Sequence, residues 1–225
     1  MRNAQGNALF IILIGIVLFG ALTFAMTENK TSNENIDTET ARVTAAELLN
    51  YTNRLRQAAL RMKSLKGCET EELSFEASPY NETNIYTQYP NSSSPEYKCY
   101  FFHAEGGGMR RLAAEDYQAE TYKFTGSCRI NNNVRGINFF LGAIPLETCE
   151  QINRMAGYNA PSYAPDKMAY SCTSQNFTGN FASSGVLPSI NGTTEGCVEG
   201  TGGYTLGSSG SGDGVYWYFA TITPE

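Results

Sequence analysis

The chain opens with a continuous apolar run. Residues 8–26 are 19 positions without a charged side chain, close to the ~20 that a helix needs to cross the core of a bilayer. Arg2 precedes this run, and Glu28 and Glu34 follow it. That order of charges favours an N-terminus in the cytoplasm and the rest of the chain on the other side of the membrane. The pattern predicts a leader and a transmembrane helix over residues 1–26.

A cleaved secretion signal is the alternative interpretation of this run. The small residues Thr23 and Ala25 would provide a cleavage site, and cleavage there would release the rest of the protein from the membrane. The run is longer than the ~7–15 apolar residues of an ordinary secretory signal. An anchor is therefore the main prediction, and cleavage stays open.

A polar, asparagine-rich hinge is predicted over residues 27–38, followed by an amphipathic helix over residues 39–67. Small and apolar side chains recur in this helix at gaps of three and four, which places them on one face. Gly67 can end the helix. The stripe has two interpretations: a helix packed on its own domain, or an extension of the membrane segment into a stem. Its members are Ala41, Ala45, Leu48, Thr52, Leu55, Ala59 and Met62.

Strand patterns dominate the remaining residues, 68–225, which we expect to form an antiparallel, β-rich head. Together with the two helices, this pattern predicts the α+β fold class. A short helix is expected over residues 144–157, with Pro145 at its first position and Gly157 as its stop. The predicted strands, each bounded by turn residues, cover residues 72–77, 97–104, 120–130, 134–144 and 214–223.

Six cysteines lie in the head, and no two of them form a CxxC pair. Zinc sites and redox motifs need closely spaced pairs, while an even number of dispersed cysteines beyond a membrane segment is typical of disulfides in an oxidising compartment. Three disulfides are therefore expected, in one of the fifteen arrangements that six cysteines allow. The preferred arrangement joins neighbours in sequence, namely Cys68 with Cys99, Cys128 with Cys149, and Cys172 with Cys197.

The charge of the chain argues against nucleic-acid binding. Its formal net charge is −6, and no run of lysine and arginine would attract a phosphate backbone. His103 is the only histidine, and Glu105 would share one face of a strand with it. No catalytic motif surrounds this pair, so a packed structural role is preferred over metal binding. We predict that the protein is not an enzyme.

A glycine-rich loop precedes the last predicted strand. Residues 199–214 lack the GK[ST] ending of a phosphate-binding loop, and a surface hairpin loop is expected there. A calcium ion could use Glu199 and Asp213, but two carboxylates are too few hard ligands for a calcium site. No cofactor is therefore predicted, and calcium is kept as the alternative.

The order of these parts resembles that of type IV pilins and of the pseudopilins of type II secretion systems. The stretches that carry the resemblance are RNAQGNALFIILI at the start, AAELLNYTNRLRQA in the helix, and CETEELSF, CYFFHAEGGG and LETCEQINRMAG further on. Together they are most similar to uncharacterised pilin-like proteins of alphaproteobacteria.

The resemblance implies processing of the leader. A prepilin peptidase would cut after Gly6 and leave Asn7 as the new N-terminus. Filament pilins normally carry a glutamate five residues past that glycine, where it neutralises the N-terminal amine of a neighbouring subunit, and this chain has Ile11 at that position. The departure implies either a minor, tip-type subunit or an anchored relative that does not polymerise.

The function expected from the residues and the resemblance is that of a structural subunit of a type IV pilus or type II secretion filament. Its expected partners are the bacterial inner membrane and other pilin-like subunits, including copies of itself. The head would lie in the periplasm or, within a filament, outside the cell. The alternative is a single-pass anchored adhesion or binding module that does not polymerise and whose head recognises a glycan or a protein. A secreted hydrolase is least favoured because no nucleophile is activated.

Overall fold

The computed structural model describes residues 5–27, 30–76, 91, 97–113, 121–126, 128–130, 134–158, 166–168, 177–181, 185–187, 194–200 and 215–224. The chain divides into two units, Met1–Thr40 and Ala41–Glu225. The helices are α1 (Gln5–Thr27), α2 (Lys30–Lys66) and α3 (Leu146–Met155). The strands are β1 (Thr121–Thr125), β2 (Cys128–Ile130), β3 (Val134–Ile144), β4 (Asp166–Met168), β5 (Gly185–Leu187), β6 (Glu195–Gly200) and β7 (Tyr216–Pro224).

The described residues of the N-terminal unit are helical. α1 has 23 residues and contains the apolar run, and the structure describes the side chains of residues 10, 12–21 and 23 within it. Over the described residues, no helix combines the length and the apolar character that crossing a membrane requires. The predicted hinge over residues 27–38 is corrected, because α2 already begins at Lys30. Residues 30–38 contain no proline or glycine, so nothing there interrupts the helical hydrogen bonds.

The C-terminal part of α2 packs on the head through the predicted apolar stripe. Leu48, Leu55 and Met62 are fully buried and belong to the same hydrophobic core as the inner side chains of the sheet. The interpretation of the stripe as a face packed on its own domain is therefore confirmed. The helix ends before Gly67, whose φ of 67° is the left-handed conformation that glycine adopts most readily after a helix.

The head is built on a seven-stranded sheet in the order β4-β6-β7-β3-β2-β5, with β1 also paired to β3. β3 lies antiparallel to β1, β2 and β7, and β6 lies antiparallel to β7. The outer pairs, β2 with β5 and β4 with β6, are parallel. The antiparallel α+β head is confirmed, and three strands of the parallel outer pairs, β4, β5 and β6, lie in segments for which no strand was predicted.

Several predicted elements correspond to observed ones. β3 covers residues 134–144, and β7 takes up most of the predicted strand 214–223. The predicted strand 120–130 is divided into β1 and β2. α3 forms within residues 144–157, although Pro145 is its N-cap instead of its first helical residue. Gly157 follows the helix with a φ of 84°, consistent with its predicted role as the stop.

The predicted strands over residues 72–77 and 97–104 are wrong. The two segments meet only in an isolated bridge between Ser74 and Tyr100, and turns make up most of the second segment. The N–H of Gly107 donates to the carbonyl of Tyr100 at 2.8 Å. This bond folds the chain back on itself, so the segment cannot extend as a strand.

The aromatic residues of these two segments build the core instead of an alternating strand face. The ring of Phe75 is stacked between two others, with centroid distances of 4.4 Å to Phe101 and 3.9 Å to Phe124. All three side chains are fully buried. Stacked aromatic rings contribute free energy beyond the area they bury, and this cluster holds the turns against β1.

Two disulfides join described residues, Cys68–Cys99 and Cys149–Cys197. The first confirms the predicted pairing. The second shows that the predicted pairings of Cys149 and of Cys197 with their sequence neighbours are wrong. Because α3 packs against β6, the two Cα atoms lie 5.3 Å apart, within the range that a disulfide needs. The side chain of Cys128 and the whole of Cys172 lie outside the described residues.

Candidate functional site

A polar cluster lies between α2 and the strands β6 and β7. Thr52 and Arg56 are one turn apart on α2, so they lie on the same side of the helix. Glu195 is the first residue of β6 and pairs with Ala220 in the sheet register. Tyr218 stands two residues before Ala220, and alternate residues of a strand share one face. The register therefore brings both side chains towards α2.

Glu195 is the centre of this cluster. Its Oε2 accepts a hydrogen bond from Arg56 Nη1 at 2.7 Å, which is also an ion pair. Its Oε1 lies 2.6 Å from Thr52 Oγ1 and accepts a hydrogen bond from the Tyr218 hydroxyl. Arg56 also donates from Nε to the backbone carbonyl of Thr221 at 2.8 Å. These bonds connect the helix to two neighbouring strands.

The environment of Tyr218 fixes its protonation. Burial raises the pKa of Tyr218 well above the usual value of 10.0, and the negative charge of Glu195 raises the pKa further. The hydroxyl is therefore protonated at neutral pH and serves as a donor, not as a base. On β1, burial lowers the pKa of the Lys123 amine. The arrangement around Glu195 supports the docking of α2 and offers no activated nucleophile.

A groove of about 370 Å³ opens beside the cluster. Two buried polar atoms of its lining residues, Arg56 Nη2 and Thr223 Oγ1, have no hydrogen-bond partner among the described residues. Each such atom lowers stability by about 1–3 kcal/mol. The side of the cluster that faces the groove is therefore less well stabilised by hydrogen bonds than the side around Glu195. The groove is lined by Arg56, Leu60, Lys63, Thr194, Thr221, Ile222 and Thr223.

The sequence gives one local signal for this cluster. Thr52 is the polar member of the apolar stripe of α2 and is fully buried, so it needs a hydrogen-bond partner. Its Oγ1 bonds the carbonyls of Leu48 and Leu49 in its own helix, and its carboxylate partner in the sheet, Glu195, lies 143 residues further along the chain. No periodicity connects two positions so far apart, and Arg56, Glu195 and Tyr218 were missed for this reason.

His103 occupies a structural position. Its ring is stacked on Tyr97 at a centroid distance of 4.4 Å, and its Nδ1 accepts the backbone N–H of Glu105 at 3.2 Å. Within the described part of the chain, no group of three or more His, Cys, Asp or Glu residues could hold a metal ion. Of the two carboxylates considered for calcium, Glu199 lies in β6 and Asp213 lies outside the described residues.

The residues implied by the pilin resemblance lie in α1. Gly6, Asn7 and Ile11 all fall within this helix, and their side chains are not described. Along the helix around Ile11, large apolar side chains are exposed. These are Phe10, Ile12, Leu13, Ile14, Ile16, Val17, Leu18 and Phe19.

Comparisons with protein-family models, with curated proteins and with solved structures found no match to this chain. The basis for a functional proposal is therefore the chain's own residues.

Proposed function

We propose that this protein is a non-enzymatic, pilin-like structural subunit, anchored in the bacterial inner membrane by its N-terminal helix. It carries a disulfide-bonded α+β head on the periplasmic side. The order of its parts supports this proposal: an apolar helix, a second helix that packs on the head with its C-terminal half, and an antiparallel sheet after it.

The observation that carries the proposal is the apolar surface of α1. Ile12, Leu13 and Ile14 are consecutive, with exposed fractions of 62%, 55% and 42%. Consecutive residues point about 100° apart around a helix, so apolar groups face several directions instead of forming one stripe. A helix that is apolar on all sides needs an apolar environment around it. Lipid supplies that environment in the membrane, and the same helices of other subunits would supply it in a filament.

The one polar side chain described in α1 is compatible with lipid. Thr23 Oγ1 lies 3.0 Å from the carbonyl of Phe19 and 2.9 Å from that of Gly20. A hydroxyl bonded to the backbone of its own helix avoids much of the cost of entering an apolar phase. Thr23 therefore does not prevent the helix from lying in a bilayer.

The head supports a location outside the cytoplasm. Its disulfides are Cys68–Cys99 and Cys149–Cys197. In most cytosolic environments the thiols of these cysteines would be kept reduced and the bonds would not persist. An oxidising periplasm agrees with the charge order around α1, in which Arg2 precedes the apolar run and Glu28 follows it.

Ile11 makes a minor subunit more suitable than a major one. In the pilin resemblance the glutamate at this position pairs with the N-terminal amine of a neighbour, and a carboxylate in an apolar helix is costly unless it is paired. Ile11 removes both the cost and the registering contact. A subunit placed once, at the end of a filament, does not need that contact on both sides.

The test combines the N-terminus with crosslinking. The protein is purified from membranes of its native host, and its intact mass and N-terminal sequence are determined. In parallel, a photo-crosslinking amino acid replaces Phe10 or Phe19 in α1, with Leu65 as an exposed control position at the end of α2. We expect Asn7 as the N-terminus and crosslinks to other pilin-like subunits from α1 but not from Leu65.

Two other outcomes would point elsewhere. An intact Met1 with lipid adducts alone would indicate the anchored binding module that does not polymerise. An N-terminus at Met26, with the protein free of the membrane, would contradict the anchor itself.

A further inference from the structure

A cleft of about 450 Å³ lies on the side of α2 that faces the turn at Gly106, Gly107 and Gly108. This volume is within the ~300–1,000 Å³ of small-molecule sites. The disulfide Cys68–Cys99 links the segment after α2 to the segment that leads into the turn. The cleft is lined by Arg54, Gln57, Ala58, Arg61, Gly107, Gly108, Met109 and Arg110.

The lining is strongly positive. Arg54 and Arg61 are two turns apart on one side of α2, and Arg110 comes from the other wall, while no carboxylate is among the lining residues. Neither Arg54 nor Arg110 forms a hydrogen bond or an ion pair with another described residue. Because the whole chain carries −6, three arginines that line one cleft with no carboxylate among its described lining residues run against its general composition. The guanidinium groups of Arg54 and Arg110 are available to an anion.

The turn fixes one of these arginines in place. Arg61 Nη2 donates to the carbonyl of Gly107, and Lys66 Nζ donates to the carbonyl of Gly106 at 3.0 Å. A side chain at position 107 would put its Cβ 2.6 Å from the carbonyl oxygen of Phe101, and Gly108 has a φ of 62°. Glycine at these positions therefore lets the turn close tightly on the backbone of Phe101, which places the Gly107 carbonyl where Arg61 reaches it. Arg61 is oriented before any ligand arrives, which lowers the entropy cost of binding.

We propose that this cleft binds an acidic sugar unit, with a carboxylate or phosphate on the arginines. Arginine binds both groups through two parallel hydrogen bonds. Gln57 adds an amide that can both donate to and accept from hydroxyl groups. Ala58 and Met109 supply a small apolar contact for the ring carbons. This inference goes beyond the structural role of the subunit and does not depend on whether a filament forms.

The test measures binding of defined probes to the full-length protein in a non-ionic detergent that contains no sugar. The probes are D-glucuronate, glucose 6-phosphate, glucose and acetate, titrated by calorimetry. We expect at least one of the acidic sugars to bind in a saturable manner, acetate to bind more weakly, and glucose not to bind. A preference for glucuronate or for glucose 6-phosphate tells whether carboxylate or phosphate is the natural group.

The variants are Arg54→Gln and Arg110→Gln, both at exposed positions, with Arg154→Gln on α3 as a control that changes the net charge equally outside the cleft. Each cleft variant should weaken binding about tenfold or more, since a hydrogen bond to a charged group is lost. The control should bind as the parent does. Fluorescence of the single Trp217, which is buried, checks that each variant is folded.

Three results would overturn the proposal. One is no saturable binding of either acidic sugar to the folded parent. Another is equal binding by the parent and the Arg54→Gln/Arg110→Gln double variant. The third is acetate bound as tightly as the acidic sugars, which would reduce the cleft to a general anion site. In each case the filament proposal is unaffected, because it is tested at α1.

Discussion

Glu195→Gln tests whether the polar cluster holds α2 to the sheet. The substitution keeps the shape of the side chain but replaces the oxygen facing Arg56 with an amide that donates. Breaking a buried ion pair by removing one partner typically costs about 3–5 kcal/mol. Here Arg56 and Glu195 are 22% and 14% exposed, so water offsets part of the loss, and the retained oxygen still accepts from Tyr218. We expect the free energy of unfolding to fall by about 2–3 kcal/mol.

Trp217 provides the assay. It is the only tryptophan of the chain, is 2% exposed, and lies in β7 next to Tyr218, so its fluorescence reports unfolding of the head. With a slope of about 2 kcal/mol per molar urea, the expected loss lowers the unfolding midpoint by roughly 1 M. Glu47→Gln, at an exposed position of α2, is the matched control and should change stability by less than about 0.5 kcal/mol.

A double-mutant cycle with Arg56→Met separates the ion pair from other effects. If the two side chains act together, the double variant should be more stable than the sum of the two single losses indicates. Additive losses, or a Glu195→Gln variant as stable as the Glu47→Gln control, would refute the argument that this pair docks the helix.

Three further predictions concern single positions in the head. Tyr218→Phe should lower the free energy of unfolding by about 1 kcal/mol at neutral pH. Because the pKa of Tyr218 is raised in the folded state, the parent should lose stability as pH rises above about 10, where the unfolded tyrosine ionises. The urea midpoints of parent and variant should therefore converge at high pH, and a constant gap between them would contradict the raised pKa. Cys149→Ser should cost about 2–5 kcal/mol under oxidising conditions, because it opens the bridge to Cys197, and equal melting of variant and parent would count against the bridge. Gly142→Ala should cost about 1–3 kcal/mol and shift the tryptophan emission, because its Cβ would stand 2.2 Å from the Trp217 ring; an unchanged spectrum would show that this packing is not rigid.

Hydrophobic periodicity correctly predicted those helices and strands whose apolar pattern continues along a single segment of the chain. The stripe of α2 repeats at helical spacing from Ala41 to Met62 and is buried as expected. β3 and β7 were predicted because each is a run of apolar and β-branched residues between turns, and they pair with each other at the centre of the sheet. In these cases the burial of one element requires only that some apolar surface lies opposite, whichever segment supplies it.

Local patterns gave a wrong prediction for an aromatic segment that could form either an extended strand or part of a stacked core. The segment containing Phe101 has the composition of a strand, but its glycines turn the chain, and its ring stacks on Phe75. β-propensity describes how well a side chain fits a partly buried surface, and a stacked core satisfies the same preference. Composition alone cannot choose between the two uses.

The sequence by itself determined the apolar N-terminal helix, the buried face of α2, the central strands and the even set of cysteines of an oxidised head, since these follow from hydropathy and spacing within single segments. Only the tertiary structure decided that Cys149 bonds Cys197, that Arg56 pairs with Glu195 across 139 residues, and that Arg54 and Arg110 line one cleft. The physical reason is the same for all three. Each contact joins segments distant in sequence, and its geometry exists only after the sheet register and the packing of the helices have brought those segments together.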